Sequence, residues 1–466
     1  MKSDFIILLL GRIIQVGIVL ISLRVSTTLL PESELGSIYY ITTLQGFFSL
    51  FLINPVGQYF NRNTNKWFST GVIIKRFINQ VKYIFLVAII SSITLIVLSR
   101  CNVINVSSSI AIEISFLIFA LSLNQTILPL LNMLNKRKSF VVFNLFTALF
   151  SLLISLVLIY IFEATAKFWL MGIIASNLIF SLYGYLYLKR IKYSSNKVTE
   201  IKKNLVDVMK FALPISIATF FMWYLSSGYR VEVEKQYGLV FLASLGVGLA
   251  VSNQIFNIIE SLLTQYFIPT LYRNIEGKDS IGRALEFNRY LYLMLPIYFS
   301  IALVATVAIK NLLPFVVGDK YYSVYVFSFF GIWIEFSRVT SNIFSVVSQI
   351  ENKTNYFVPS YIISALCLFI GLGFLDYNQN ELCLIILVAN IINMIIIYFL
   401  SNKLLRISIP YLRLIKVTFY TLPSVIFFVL IQIQQQLSIE NFIYCTFGGL
   451  LYLGAMYVFW KKNNES

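Results

Sequence analysis

The run FWLMGIIASNLIFSLYGYLYL (168–188), KRIKYSSNKVTEIKKNLVDVMK (189–210) and FALPISIATFFMWYLSS (211–227) sets the class of the whole chain. Two uncharged apolar segments, each able as a helix to cross a hydrocarbon core of about 30 Å, flank a linker that holds seven Lys or Arg. Working outward, apolar runs of the same kind recur on both sides, fourteen in all, from Phe5–Leu23 to Phe442–Trp460. The first is not expected to be a cleaved leader, because no small-residue cleavage site follows it and thirteen similar runs do. Of 466 residues, 58% are apolar and 12% charged, with a mean hydropathy of +0.81; a soluble domain carries about 25% charged residues. The chain reads as an all-α integral membrane protein with fourteen transmembrane helices.

The basic residues give the orientation. With the N-terminus inside, the inner loops hold 27 Lys or Arg and the outer loops seven, Arg24 and Arg230 among them. Arg12 and Arg338 fall within spans. Such a bias is the positive-inside signal, and it predicts cytoplasmic N- and C-termini. The net charge of +16 is therefore a topology signal, and no nucleic-acid partner is expected: no basic stretch is interleaved with stacking aromatics outside the membrane. The linker 189–210 touches anionic headgroups of membrane lipids on the simplest reading, and it also stands where a hinge between two six-helix halves would lie.

Catalytic chemistry is poorly served. There is no histidine, and Cys101, Cys367, Cys383 and Cys445 make no CxxC or zinc spacing, which excludes a Ser-His-Asp triad, a His-based metal site and a zinc finger. No loop exceeds about 22 residues, so there is no room for an extramembrane catalytic domain. No metal, cofactor or enzymatic activity is expected.

The two halves echo one another at an offset of a little over 200 residues. NKRKSF (135–140) matches NKTNYF (352–357), QYF (58–60) recurs at 265–267, and Arg24-Val25 corresponds to Arg230-Val231. Six helices per repeat keep both halves in one orientation, so the expected architecture is two six-helix lobes related by a parallel pseudo-twofold, followed by two C-terminal helices. The corresponding segments are 1–195, 196–408 and 409–466. Repeated halves with a site at the membrane midplane are a transporter architecture.

Polar residues inside the membrane are costly and face a cavity or another helix. On span seven, Ser216, Thr219, Trp223, Ser226 and Arg230 share one helical face, as do Asn253, Asn257, Glu260 and Thr264 on span eight. Span ten carries Glu335, Arg338, Asn342, Ser345 and Gln349. Span one offers Arg12 and Gln15, and span two Thr42, Gln45 and Ser49. Spans one, two, seven, eight and ten are therefore expected to line a hydrophilic interior. Bland readings stand beside this one: Asn and Ser glue helices together, Glu335 and Arg338 at i,i+3 can neutralise each other, and Arg24 and Arg230 can snorkel to headgroups. Arg12 has no acid at i±3 or i±4, which favours a cavity-facing role. Among the acids, Glu260 and Glu335 are the candidates for coupling transport to an ion.

Four stretches carry a family resemblance: GRIIQVGIVLISLRVSTTLLPESELGSIYY (11–40), KFALPISIATFFMWYLSSGYR (210–230), YFIPTLYR (266–273) and LLPFVVGDKYYSVYVF (312–327). In their order and spacing they resemble the multidrug/oligosaccharidyl-lipid/polysaccharide exporter superfamily, and within it the O-antigen and capsule flippases of the polysaccharide transporter branch. Tyr229 stands where that branch usually has an acid before Arg230. The resemblance implies two lobes that rock between inward- and outward-open states in a bacterial inner membrane. The implied substrate is an undecaprenyl-diphosphate-linked oligosaccharide, with a polysaccharide polymerase and a chain-length regulator as candidate partners. Arg12, Arg24 and Arg230 would meet the diphosphate, for which the planar guanidinium fork is suited. Arg62 would catch it at the cytoplasmic end of span two, and Gln15, Gln45, Trp223, Asn253 and Asn257 would contact sugar. The rivals are a cation-coupled drug exporter, which needs a buried carboxylate (Glu113, Glu260 or Glu335), a peptidoglycan-precursor flippase, and a membrane polymerase or ligase of lipid-linked sugars. Cysteines introduced into 189–210 are expected to react with impermeant thiol reagents only from the cytoplasmic side; labelling from outside intact cells would refute the fourteen-span topology.

Overall fold

The computed structural model describes residues 2–191, 205–351, 353–374, 378–431 and 437–464. Residues 192–204 of the basic linker, and with them the lobe boundary expected between 195 and 196, lie outside the described residues. Every regular element among the described residues is helical. Twelve segments are long and apolar enough to cross a membrane, which makes this a multi-pass membrane protein. Two features separate this count from the expected fourteen. Spans seven and eight merge into one segment, Val208–Ile275, and span ten is absent from the twelve because its polar stripe lowers its hydropathy.

The chain packs as two compact units, Met1–Ser22 with Leu29–Ala243, and Leu23–Thr28 with Ser244–Ser466. Packing thus groups span seven, expected in the C-terminal lobe, with the first unit. The last two helices, expected to stand apart as 409–466, belong to the second.

The first unit contains most of α1 (Lys2–Leu29), then α2 (Glu32–Phe48), α3 (Asn54–Ser69), α4 (Ile73–Arg100), α5 (Ser108–Met133), α6 (Arg137–Ile161), α7 (Ala166–Arg190), α8 (Leu205–Trp223) and the start of α9 (Arg230–Ile275). Asn102 and Asn135, both at positive φ, turn the chain out of α4 and α5. The expected loop 61–82 is mostly helix, since α3 runs to Ser69 and α4 starts at Ile73.

Two π-helical turns interrupt the helices of spans two and seven, at Ser49–Ile53 and Tyr224–Gly228. The first has a local cause. Pro55 has no N–H to give the carbonyl five residues earlier, and that carbonyl, of Leu50, instead accepts the Thr219 hydroxyl of α8 at 2.8 Å. The neighbouring Leu52 carbonyl accepts the Tyr83 hydroxyl of α4 at 2.8 Å. Trp223 Nε1 donates to the Thr43 carbonyl at 3.0 Å. These side-chain bonds join α8 to the α2–α3 run.

The second unit continues α9 and adds α10 (Ser280–Val316), α11 (Tyr325–Ile350), α12 (Val358–Phe374), α13 (Gln379–Leu404), α14 (Tyr411–Leu430) and α15 (Ile439–Asn464). Asp279 caps α10 by accepting the Gly282 N–H at 2.9 Å. Helix α15 is tied to α10 by Asn441 Nδ2 donating to the Asn311 carbonyl at 3.1 Å.

Gly238, at φ 79 and ψ 178, is where α9 leaves helical geometry, a conformation open to glycine. The chain beyond it lies against α2 so closely that a Cβ on Gly36 would collide with the Leu239 carbonyl. Gly36→Ala is expected to cost at least about 1–3 kcal/mol through this overlap and to reduce the monodisperse fraction in fluorescence-detected gel filtration. Gly57→Ala, whose Cβ meets nothing within 4 Å, is the control and should behave as wild type.

Candidate substrate and coupling sites

In the first unit, α8 lies along the α2–α3 run in a seam of aromatic rings. Phe47 packs edge-on against Trp223 with ring centres 5.1 Å apart, Phe51 meets Phe220 at 5.9 Å, and Tyr59 meets Phe211 at 5.6 Å. An arginine stands at each end. Arg230 lies over the Tyr39 ring at 5.4 Å, and Arg62 over the Phe211 ring at 5.8 Å. At about 1.5 Å per residue, Tyr39 and Arg62 are about 35 Å apart along the run, more than the ~30 Å of a hydrocarbon core. Arg62 and Arg230 therefore sit at opposite membrane levels and cannot hold one diphosphate together. Arg230 Nε is buried and has no hydrogen-bond partner among the described residues.

Trp223, expected to stack on sugar, is 8% exposed. Its single donor is used by Thr43, so it acts as a packing residue of the seam. Gln45 is also buried and donates to Ser49 Oγ at 2.6 Å. Arg12 is half-buried on α1. Its Nη1 donates to Gln15 Oε1 at 3.0 Å, and Gln15 in turn exchanges hydrogen bonds with Asn144 of α6 at 3.3 and 3.4 Å. The partner Asn144 was not anticipated; as a polar residue in the apolar run VVFNLF (141–146) it was visible in the sequence.

Arg24 has a different task from the one expected. It belongs to the second unit, where Nη1 donates to the Pro314 carbonyl and, at 3.1 Å, to the Val317 carbonyl. These are orphan acceptors at the C-terminus of α10, where a cation also suits the helix dipole. Arg24 is a cap.

The second unit brings the stripes of spans eight and ten together. Asn253 Nδ2 donates to Glu335 Oε1 at 2.9 Å, and Asn257 Nδ2 to Asn253 Oδ1 at 2.6 Å. Arg338 reaches three partners: Nε donates to Glu335 Oε2 at 2.6 Å, and Nη2 to Asn257 Oδ1 at 3.1 Å and to Glu260 Oε2 at 2.9 Å. Asn342 Nδ2 donates to Glu260 Oε1 at 2.7 Å. Residue numbers rise together on both helices, so α9 and α11 run parallel here. The stripes were expected to line an open interior; over these rungs they face each other instead. The i,i+3 pair of Glu335 and Arg338 was foreseen, the Glu260–Arg338 bridge was not. Its signal was the common 3–4 spacing of the two stripes, which permits a ladder without specifying its partner. One guanidinium between two carboxylates leaves the ladder with one formal negative charge. Among the described residues no group of three or more His, Cys, Asp or Glu could hold a metal ion.

No family model matches the chain, and no curated protein matches its sequence. Solved structures match its fold. An inward-closed structure of the lipid II flippase MurJ aligns with a TM-score of 0.68 and 13% identity, covering 99% of each chain. An inward-facing multidrug resistance MATE family transporter of the MOP superfamily gives 0.59 and 11%, covering 88% of this chain and 95% of that one. A MOP superfamily transporter from Pyrococcus furiosus gives 0.55 and 12%, covering 86% and 95%. At these identities the shared property is the fold: the chain has the helical fold found in MOP-superfamily transporters.

The ladder makes a graded prediction. Arg338→Gln leaves two carboxylates without their cation and is expected to lower stability by on the order of 2 kcal/mol. That is below the ~3–5 kcal/mol of a fully buried broken pair, because the Arg338 side chain is 30% exposed. Adding Glu335→Gln should recover only part of the loss, since Glu260 stays charged; adding Glu260→Gln as well should recover most of it. Thermal melting of the purified variants in detergent checks the series, and full recovery in the double variant would remove Glu260 from the network.

Proposed function

We propose that this chain is a flippase that moves an undecaprenyl-diphosphate-linked oligosaccharide from the cytoplasmic to the outer leaflet of a bacterial inner membrane, supplying O-antigen or capsule assembly. The observation that carries this reading is the staging of arginines in the first unit: Arg62 at one end of the α2–α8 seam, Arg230 at the other, and Arg12 on α1. Ten residues into α1, Arg12 lies about 15 Å from the helix start, a depth between the two ends. A diphosphate crossing the bilayer needs cations at successive depths, and guanidinium binds phosphate oxygens bidentately. Arg12 is the central residue of the path in this reading. Gln15 and Asn144 orient it, and its hydrogen bond to Gln15 is neutral and can be exchanged for one to phosphate.

The rest of the reading follows from the same chain. Fourteen spans and cytoplasmic termini put Arg62 on the side where the substrate is made. Glu260 and Glu335 share one cation, so the ladder can take up a proton without losing its charge balance; this makes it the candidate for ion coupling. Asn253 and Asn257, placed within the ladder, belong to coupling rather than to sugar recognition. Export to a polysaccharide polymerase with its chain-length regulator would complete the pathway.

The MurJ likeness favours a second reading, a peptidoglycan-precursor flippase. A drug exporter has one observation in its favour, Glu113 Oε1, which is buried without a hydrogen-bond partner among the described residues. One experiment separates the three. A deletion strain should accumulate undecaprenyl-diphosphate-linked repeat units in lipid extracts and lose surface polysaccharide. Accumulated peptidoglycan precursor would establish the second reading, and drug sensitivity with normal polysaccharide the third. In that strain, Arg12→Ala is expected to reach the membrane and leave surface polysaccharide at least about tenfold below wild type, with Arg12→Lys intermediate because a point charge replaces the fork. Normal polysaccharide in Arg12→Ala would reject the cationic path.

A further inference from the structure

A cavity of about 370 Å³ lies in the first unit, between the N-terminal part of α4 and the C-terminal parts of α5 and α7. Its volume falls in the ~300–1,000 Å³ range of ligand pockets. Phe77 and Val81 of α4, Leu123 of α5, and Leu178 and Leu182 of α7 make its walls apolar. It opens outward from the helices, since Leu182 is 58% exposed. One side forms a stacked pair, Phe77 on Tyr185, with ring centres 5.5 Å apart and planes at 20°.

Charge is confined to one end. Lys82 lines the cavity and makes no hydrogen bond or ion pair among the described residues. Lys189 holds its ammonium 4.6 Å from the centre of the Tyr185 ring. Two cations thus flank the mouth of an apolar cleft. In the sequence Lys82 counted as a loop residue; the structure places it on α4, about 14 Å along the helix from Ile73. At that depth its stem lies along apolar surface while its head reaches toward the interface. A cleft for hydrocarbon with cations at one end matches a phospholipid bearing net negative charge. It fits a zwitterionic lipid poorly, because the latter presents a cation of its own to Lys82 and Lys189.

We propose that this cavity is a binding site for an anionic glycerophospholipid, with the headgroup phosphate between Lys82 and Lys189 and an acyl chain in the cleft. The site is separate from the arginine path and does not depend on what the chain transports. If the termini are cytoplasmic, it draws its lipid from the inner leaflet.

Native mass spectrometry of the purified full chain, titrated with phosphatidylglycerol or phosphatidylcholine, tests the site. Wild type is expected to retain phosphatidylglycerol in preference. Lys82→Gln should reduce that retention about fivefold, the ~1 kcal/mol that one lysine contributes beside an anionic surface. Leu178→Trp, which fills the cleft and keeps both charges, should reduce it comparably. Lys82→Arg should retain the lipid and serves as the folding control. Unchanged retention in Lys82→Gln would overturn the site. So would a loss in Lys82→Gln with none in Leu178→Trp, which would mean diffuse attraction to a basic surface. Displacement of phosphatidylglycerol by equimolar undecaprenyl phosphate would overturn the assignment to phospholipid.

Discussion

A hydrocarbon core supplies no hydrogen bonds, so every polar group inside it must find its partner in the protein. Much of this structure is arranged by that constraint. Pro55 deprives the Leu50 carbonyl of a donor, and Thr219 supplies one from another helix. Helix α10 ends with open carbonyls, and Arg24 covers them. The amides and charges of α9 and α11 pair with each other along a parallel ladder. Each solution also fixes the position of a helix, so satisfying the backbone and assembling the bundle are one process. The two buried atoms that escape the rule, Arg230 Nε and Glu113 Oε1, stand out against this background.

The ladder shows how the constraint shapes electrostatics. A single buried carboxylate beside a single guanidinium would be a neutral pair, worth little net stability once desolvation is counted. Two carboxylates on Arg338 are different. Either acid can hold the cation while the other depends on Asn253 or Asn342. Amides can donate to an ionised carboxylate and, after rotation, accept from a protonated one. Such an arrangement tolerates a change of protonation with small local movements, a property that a simple ion pair lacks.

The helical character and membrane location were legible in the sequence because both depend on composition over long runs, which neighbours cannot disguise. The stripes on spans eight and ten were legible too, since helical period alone aligns Asn253, Asn257 and Glu260. What faces a stripe is a tertiary fact, and nothing in the single sequence said that the two stripes would close on each other. The same limit explains Trp223. An indole on a polar stripe reads as a surface for sugar, yet its one N–H is taken by the Thr43 carbonyl and its rings by Phe47 and Phe220. The extent of helix beyond the membrane, as at Lys82, was hidden because charged residues continue a helix as readily as they end a span.

The internal echo of Arg24-Val25 and Arg230-Val231 carries a further lesson about reading repeats. Both arginines leave a helix at an equivalent place in the sequence, yet they meet different surroundings. Arg24 reaches the carbonyls that end α10 and is consumed by them. Arg230 finds the face of Tyr39, an aromatic partner that leaves all five N–H donors of the guanidinium uncommitted to carbonyl or carboxylate; a cation–π contact of this kind contributes about 0.5–2 kcal/mol. Of the two, only Arg230 keeps its hydrogen-bonding capacity for a ligand. Duplication preserves the position of a charge, while the partner that charge meets decides whether it caps a helix or remains available to a substrate.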